Sequence, residues 1–212
     1  MLRPRLIPCL LMEDGKLVKT KRFRSSRYVG DPLNVIKIFN EKEVDEIILI
    51  DISATRRKKR PDFELLSLIT SECFMPLTYG GGISSLDDAS KLFELGIEKL
   101  VFQNSFYSNP ELIKELVYRF GSQSIVISID IKKNWLNQNK PYSYLKRRNF
   151  FTKNLNDIIQ NVSDLGAGEI FLQVVHLEGT KQGVDLTIFD SNLKECNLPI
   201  VISGGVSSLD DF

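Results

Sequence analysis

The sequence predicts an α/β protein of the (β/α)8-barrel class, and three observations carry that expectation. Residues 76–89 read PLTYGGGISSLDDA and residues 199–212 read PIVISGGVSSLDDF, with eight of fourteen positions identical at an offset of 123 residues. Glu46-Ile-Ile-Leu49 and Glu169-Ile-Phe-Leu172 repeat at the same offset, so the chain holds two copies of one unit. Short apolar runs alternate with amphipathic stretches from end to end, the pattern of parallel strands covered by helices. Two-fold repetition then favours a closed barrel over an open doubly wound sheet.

The apolar runs place strands at 5–11, 46–51, 76–80, 99–103, 125–130, 169–175 and 199–203. Asp31-Pro32 and Asn109-Pro110 each set a capping side chain before a proline suited to the first helical turn. Gly96 and Gly121 stand where helix C-caps belong. Leu112, Ile113, Leu116, Val117 and Phe120 share one face at helical period. Seven strands are one short of a barrel, and Phe212 corresponds to Ala89 of the first copy. A full barrel takes about 250 residues. The expectation is one barrel domain over 1–212, with half-barrel repeats 1–120 and 121–212, lacking its last helix, strand and helix.

With 42% hydrophobic residues the chain can bury a core, and its net charge of +1 gives no field that argues for nucleic acid. No apolar run reaches membrane-spanning length. Arg3 and Arg5 precede a short apolar stretch without a small-residue cleavage site, which reads as a first strand rather than a signal peptide. Cys9, Cys73 and Cys196 have no metal-ligand spacing and read as reduced thiols of a cytoplasmic protein, with no metal and no cofactor expected.

In such a barrel the active site lies at the C-terminal ends of the strands. Asp51 and Asp130 end two of the apolar runs there. The glycine turns Gly80–Gly82 and Ser203–Gly205 occupy equivalent places in the two copies, each before a helix, an arrangement that holds phosphate through backbone N–H groups. Two such turns imply a substrate with a phosphate at each end. Basic residues gather in the loops of the same face: Lys16, Lys19, Lys21, Arg22, Arg24 and Arg27 after the first strand, Arg56–Arg60 after the second, and Lys146–Arg148 after the fifth. In a nearly neutral chain they suit an anionic ligand, although a run such as Arg56–Arg60 is by itself equally suited to a solvated loop. The sole histidine, His176, follows the sixth strand with no visible partner, and Trp135 suits either stacking or packing.

The motifs Arg5-Leu-Ile-Pro-Cys9, Gly30-Asp-Pro32, Leu49-Ile-Asp-Ile52, Pro76-Leu-Thr78 with Gly80–Gly82, Phe120-Gly-Ser-Gln123, Ser128-Ile-Asp130, Gly166-Ala-Gly-Glu169 and Ser203-Gly-Gly205 together resemble the HisF family across 1–212. That family is the cyclase subunit of imidazole glycerol phosphate synthase, a barrel of the ribulose-phosphate-binding type. The resemblance implies a lyase that works as a heterodimer with a HisH-like glutaminase. Ammonia from the glutaminase would pass through the barrel to a bis-phosphorylated ribonucleotide. It implies an ammonia gate of Arg5, Glu46, Lys99 and Glu169, with Glu98 facing the partner. It implies phosphate binding by Gly81, Gly82, Gln103, Asn104, Gly179, Gly204 and Gly205, a substrate rim of Lys19 and Asp51, and Asp130 as one catalytic carboxylate.

Several positions depart from the family. The partner of Asp130 is Leu11, which carries no proton. Gln103-Asn104 stands for the usual Asn-Thr, His176-Leu-Glu-Gly-Thr180 for Asp-Arg-Asp-Gly-Thr, and Thr152-Lys153 for Thr-Gly. Pro8-Cys-Leu-Leu11, Tyr28-Val-Gly-Asp31, Phe39-Asn-Glu-Lys42 and Ser71-Glu-Cys-Phe-Met75 look similar to a branch associated with surface-polysaccharide assembly. There the barrel would feed ammonia to a sugar amidotransferase. Three readings follow: a cyclase subunit, a non-cyclising ammonia conduit, or an inactive remnant.

Overall fold

The computed structural model describes residues 5–144, 148–149 (backbone only), 154–188, 193, 196–208 and 211. The expectations placed on Lys146, Arg147, Thr152, Lys153 and Phe212 lie outside these residues, as does the side chain of Arg148. In chain order the elements are β1 (Cys9–Glu13), β2 (Lys16–Lys21), β3 (Arg24–Gly30), α1 (Pro32–Lys42), β4 (Ile47–Asp51), α2 (Ala54–Arg57), α3 (Phe63–Glu72), β5 (Leu77–Gly80) and α4 (Leu86–Glu94). They continue with β6 (Lys99–Phe102), α5 (Asn104–Ser108), α6 (Pro110–Phe120), β7 (Ile125–Lys133), β8 (Asn139–Ser143), β9 (Arg148–Asn149), α7 (Leu155–Asp164), β10 (Glu169–Val174) and β11 (Ile200–Ser203).

The seven expected strands are all present, and each pairs in parallel with its predecessor in the order β1-β4-β5-β6-β7-β10-β11. This is the α/β fold class that the alternating pattern predicts. Among the described residues no ladder joins β11 to β1. The outer edge of β1 is not bare, because Leu11, Met12 and Glu13 pair with Val18, Leu17 and Lys16 of β2. The stretch expected to be a loop after the first strand is therefore a β-hairpin, β2–β3. The first strand also starts at Cys9 rather than residue 5. Pro8 explains the late start: it has no N–H for a ladder, and only its carbonyl bonds, to the Ile48 amide at 3.0 Å. The fifth strand runs on to Lys133 and turns into β8, so a second hairpin rises at the same face.

The helix ends follow the capping chemistry. Asp31 accepts from the amides of Leu33 and Asn34 ahead of α1, and Asn109 accepts from Leu112 ahead of α6, each with proline at the first helical turn. Gly96, at φ 93°, closes α4: its amide bonds the Phe93 carbonyl and the Ile97 amide reaches Leu92. That is a Schellman cap, and only a residue tolerant of left-handed backbone fits it. Outward strand residues such as Leu49, Leu100, Ile127 and Ile170 pack against Ile36, Leu66, Leu92, Ile113 and Ile158 of the helices. Each such fully buried side chain contributes about 1.5–3 kcal/mol. The inward residues Ile48, Val101, Val126 and Phe171 form a separate apolar cluster with Ile7, Cys9, Ile50 and Val201. Gly80 belongs to this inner face, where a Cβ would crowd Ile50 and Val101 at 2.9 Å. No helix among the described residues is long and apolar enough to cross a membrane.

Candidate active site

The inner face of the sheet is built in three storeys. Because side chains alternate along a strand, Glu46-Ile48-Ile50, Lys99-Val101-Gln103, Val126-Ser128-Asp130 and Glu169-Phe171-Gln173 each climb from the N-terminal mouth to the C-terminal face on one side of the sheet.

The lowest storey is a closed ring of charge. Arg5 bonds Glu46 at 3.1 Å and Glu169 at 3.0 Å, while Lys99 Nζ lies 2.9 Å from Glu46 Oε2 and 2.8 Å from Glu169 Oε2. Thr78 Oγ1 donates to Glu46 Oε1 at 2.6 Å. Two acids and two bases compensate, the condition under which such groups tolerate burial. Burial alone would depress the Lys99 ammonium, but the hydrogen bonds it donates to Glu169 and Glu46 outweigh it and hold its pKa above the ordinary value. Glu98 is exposed beside this ring. The middle storey is the apolar cluster, where burial pushes the Cys9 thiol up to about 12 and leaves it inert.

The top storey is the floor of a cavity of about 940 Å³ at the C-terminal ends of the strands. Leu11, Asp51, Gly81, Gly82, Gln103, Asn104 and Asp130 all line it, so the structure brings these residues together around one cavity. Asp130 is 3% exposed and its Oδ1 has no partner among the described residues. Burial, only partly offset by a hydrogen bond from Gln103, lifts its carboxyl from an ordinary 3.8 to about 7. Glu13 lies two residues above Leu11 on the same face and also lines the cavity. Its bonds to Ser26 and Arg56, the latter at 2.8 Å, keep it below its ordinary value despite burial. Asp51 uses Oδ1 to accept from the Ser53 amide, the Ser53 hydroxyl and the Ala54 amide, which anchors the start of α2.

The basic loops divide. Arg56 pairs with Glu13, Arg57 with Asp14, and Arg60 with Asp87 and Asp88 at 2.8 and 2.6 Å. Arg24, Lys58 and Lys59 line the cavity with no ion pair among the described residues. Arg22 lines it too, and Lys132 stands 5.0 Å from the Tyr142 ring at the same wall. Lys19, by contrast, is exposed on β2 and does not line the cavity. Trp135 is 85% exposed at the tip of the β7–β8 hairpin, so it neither packs nor reaches the cavity. Burial and the Lys133 charge depress His176, whose ring nitrogens are enclosed with no partner among the described residues.

The internal repeat survives as matched contacts. Gly81, at φ 121°, sits where a Cβ would overlap the Asp51 carbonyl oxygen, and Gly204, at φ 115°, does the same against Val174, which is Asp51 displaced by 123 positions. Ser84 bonds Asp88 through amide and hydroxyl, both at 3.1 Å, and Ser207 bonds Asp211 likewise at 2.7 and 2.9 Å. Both glycine turns thus lie at the same face. They differ in access: Gly205 is buried under Gly183, whose amide bonds the Gly205 carbonyl at 2.8 Å, and neither Gly204 nor Gly205 lines the cavity. Gly179 is also placed elsewhere than expected, against the Thr20 carbonyl of the β2–β3 hairpin. Gly81→Ala is expected to cost about 1–3 kcal/mol from backbone strain and more from the overlap. Gly96→Ala, with nothing within 4 Å of its Cβ, would carry the strain alone. Urea unfolding of the two variants measures the difference.

Sequence reasoning missed Gln173, Ser128, Tyr142 and Tyr144 as cavity residues. Gln173 was within reach, since it lies two residues above Phe171 and registers with Asp130.

A parallel α/β sheet with half-barrel repetition, carrying a cavity with basic lining above a buried ion ring, is the architecture of a (β/α)8-barrel protein. The chain belongs to the histidine biosynthesis protein family, whose model matches residues 5–212. It is 42% identical over 210 residues to a protein of Leptospira borgpetersenii provisionally named imidazole glycerol phosphate synthase subunit HisF, covering 99% of this chain and 83% of that one. It is 37% identical over 212 residues to the imidazole glycerol phosphate synthase subunit HisF of Helicobacter hepaticus, covering 100% of this chain and 83% of that one. For the protein of that name from Methanococcus maripaludis strain C5 the identity is 36% over 225 residues, covering 97% and 82%.

Proposed function

We propose that the chain is a HisF-type subunit of an imidazole glycerol phosphate synthase, drawing ammonia from a glutaminase and using it in lyase chemistry on a bis-phosphorylated ribonucleotide. One observation supports this reading: a compensated ion ring at the N-terminal ends of the strands and the buried acid Asp130 at their C-terminal ends lie on the same inner face, separated by an apolar cluster through which a passage for ammonia would run. Ammonia enters at the ring, which Arg5, Glu46, Lys99 and Glu169 form, and Glu98 beside it meets the glutaminase. The substrate lies over Asp130, its phosphate on Gly81, Gly82, Gln103 and Asn104, with Arg24, Lys58 and Lys59 supplying countercharge. Asp130 serves as general acid, since a carboxyl lifted to about 7 keeps a substantial protonated fraction at neutrality.

Leu11 favours a second reading, in which the same passage delivers ammonia to a sugar amidotransferase and the cavity performs no cyclisation. Ammonium-dependent cyclisation of the ribonucleotide distinguishes the two. Leu11→Asp is expected to raise turnover by about 10²–10⁴, the usual effect of one positioned proton-transfer group. Robust turnover by the unaltered chain, with no gain in the variant, would assign the missing role to Glu13 or Asp51. Glutamine should replace ammonium only when a HisH-like glutaminase is added.

A further inference from the structure

The turn of the β2–β3 hairpin is tied to the far half of the molecule through Glu178, which bonds it with both carboxylate oxygens. Thr20 Oγ1 donates to Glu178 Oε1 at 2.8 Å, and the Phe23 amide donates to Glu178 Oε2 at 2.9 Å. The Arg22 amide reaches the Glu178 carbonyl at 3.0 Å, and Arg22 Nε reaches the His176 carbonyl at 3.1 Å. Gly179 closes the contact: at φ 66° it lies against the Thr20 carbonyl, where a Cβ would overlap that oxygen. The hairpin turn needs such a hold. Arg22, Phe23 and Ser25 have φ of 55°, 59° and 52°, a left-handed conformation that non-glycine residues enter at a cost. What the turn presents matters, because Arg22, Phe23, Arg24, Ser25 and Ser26 all line the cavity, and the Phe23 ring meets Tyr144 edge-on at 6.0 Å.

We propose that Glu178 is a positioning residue: both of its carboxylate oxygens clasp the hairpin turn so that Arg22 and Arg24 face an anionic ligand in the cavity. The role in ligand binding rests on the anion-binding reading above, whereas the clasp stands on the geometry. A carboxylate suits the task because both bonds need acceptors, and a glutamine side chain offers one oxygen only.

Amide hydrogen exchange of the full chain, with inorganic phosphate as the probe of the cavity, tests the proposal. A charge-assisted bond to an amide limits local opening by about tenfold or more. Glu178→Ala should therefore speed exchange at Phe23 by about that factor, leave Ile127 in the central sheet unchanged, and weaken phosphate binding severalfold. Glu178→Gln should recover part of both effects. Unchanged Phe23 exchange, or equal acceleration throughout the sheet, would overturn the clasp. Phosphate affinity unaltered in Glu178→Ala would overturn the positioning role. Failure of the unaltered chain to bind phosphate would overturn the anion-cavity reading, and the positioning role with it, while the exchange result would still decide the clasp.

Discussion

Asp130→Asn is expected to lower ammonium-dependent turnover by about 10²–10⁴, measured in the Leu11→Asp background where the rate is highest. Asparagine keeps the shape and the Gln103 contact but has no proton to give. The pH profile should match: activity that needs the protonated acid falls as pH rises through about 7. The same group makes a stability prediction with a definite sign. Its folded pKa, about 7, lies above the ordinary 3.8. Between those values the folded chain holds a proton that the unfolded chain releases, so stability declines as pH rises across that window and stays lower above it. The Asp130→Asn variant has nothing to titrate at this position. Its urea midpoint should therefore vary less with pH than the parent's over that window, and at pH 8 (above the Asp130 value) it should exceed the parent's. An equal pH slope in the two proteins would contradict burial as the cause of the shift.

Lys99→Met is expected to destabilise the fold by about 3–5 kcal/mol, the cost of removing one partner of a buried pair. The ammonium makes three contacts of 2.8–3.1 Å to Glu46 and Glu169, whose side chains are only 5% and 8% exposed. Arg5 cannot replace it, since its side chain is 47% exposed and its bonds are screened by water. Lys99 has a raised pKa in the fold, so its contribution is complete below its unfolded value and is lost only as pH rises through the folded one. The loss in the variant should thus be the same at pH 6 and pH 9, both below the ordinary 10.5. Adding Glu46→Gln and Glu169→Gln should restore most of the stability, because the uncompensated charges are then gone. Urea midpoints at constant m-value measure both. A loss below about 1 kcal/mol would make the ring an ordinary surface network.

The parallel strands were legible because the central ones are buried on both faces, which writes a nearly continuous apolar run such as Ile47–Ile50 or Ile125–Ile127. The ring was legible only by resemblance, since Arg5, Glu46, Lys99 and Glu169 look individually like any charges at strand starts. The β2–β3 hairpin was misread as a loop for a physical reason. Arg24–Gly30 is exposed along nearly its whole length, so it carries no apolar alternation, and its turn uses left-handed Arg22 and Phe23 rather than glycine. The one available signal was Asp14-Gly15, a hairpin dipeptide between Leu10–Met12 and Leu17-Val18. Gly179 shows a packing role that the sequence did not write: its missing Cβ makes room for the Thr20 carbonyl.

The apolar middle storey acts as an electrical partition. Ile48, Val101, Val126 and Phe171 are 2%, 6%, 1% and 0% exposed and offer no side-chain donor or acceptor. At that level the Ser128 hydroxyl, which accepts from Gln173 Nε2 at 3.2 Å, stands beside Phe171, so a hydrated ion entering the layer would exchange its water for too few polar partners, at a large cost; a small neutral molecule faces a lower one. The charges of the ring and those of the cavity therefore occupy separate compartments. A change of charge at one end is thus felt at the other only across the width of this apolar layer.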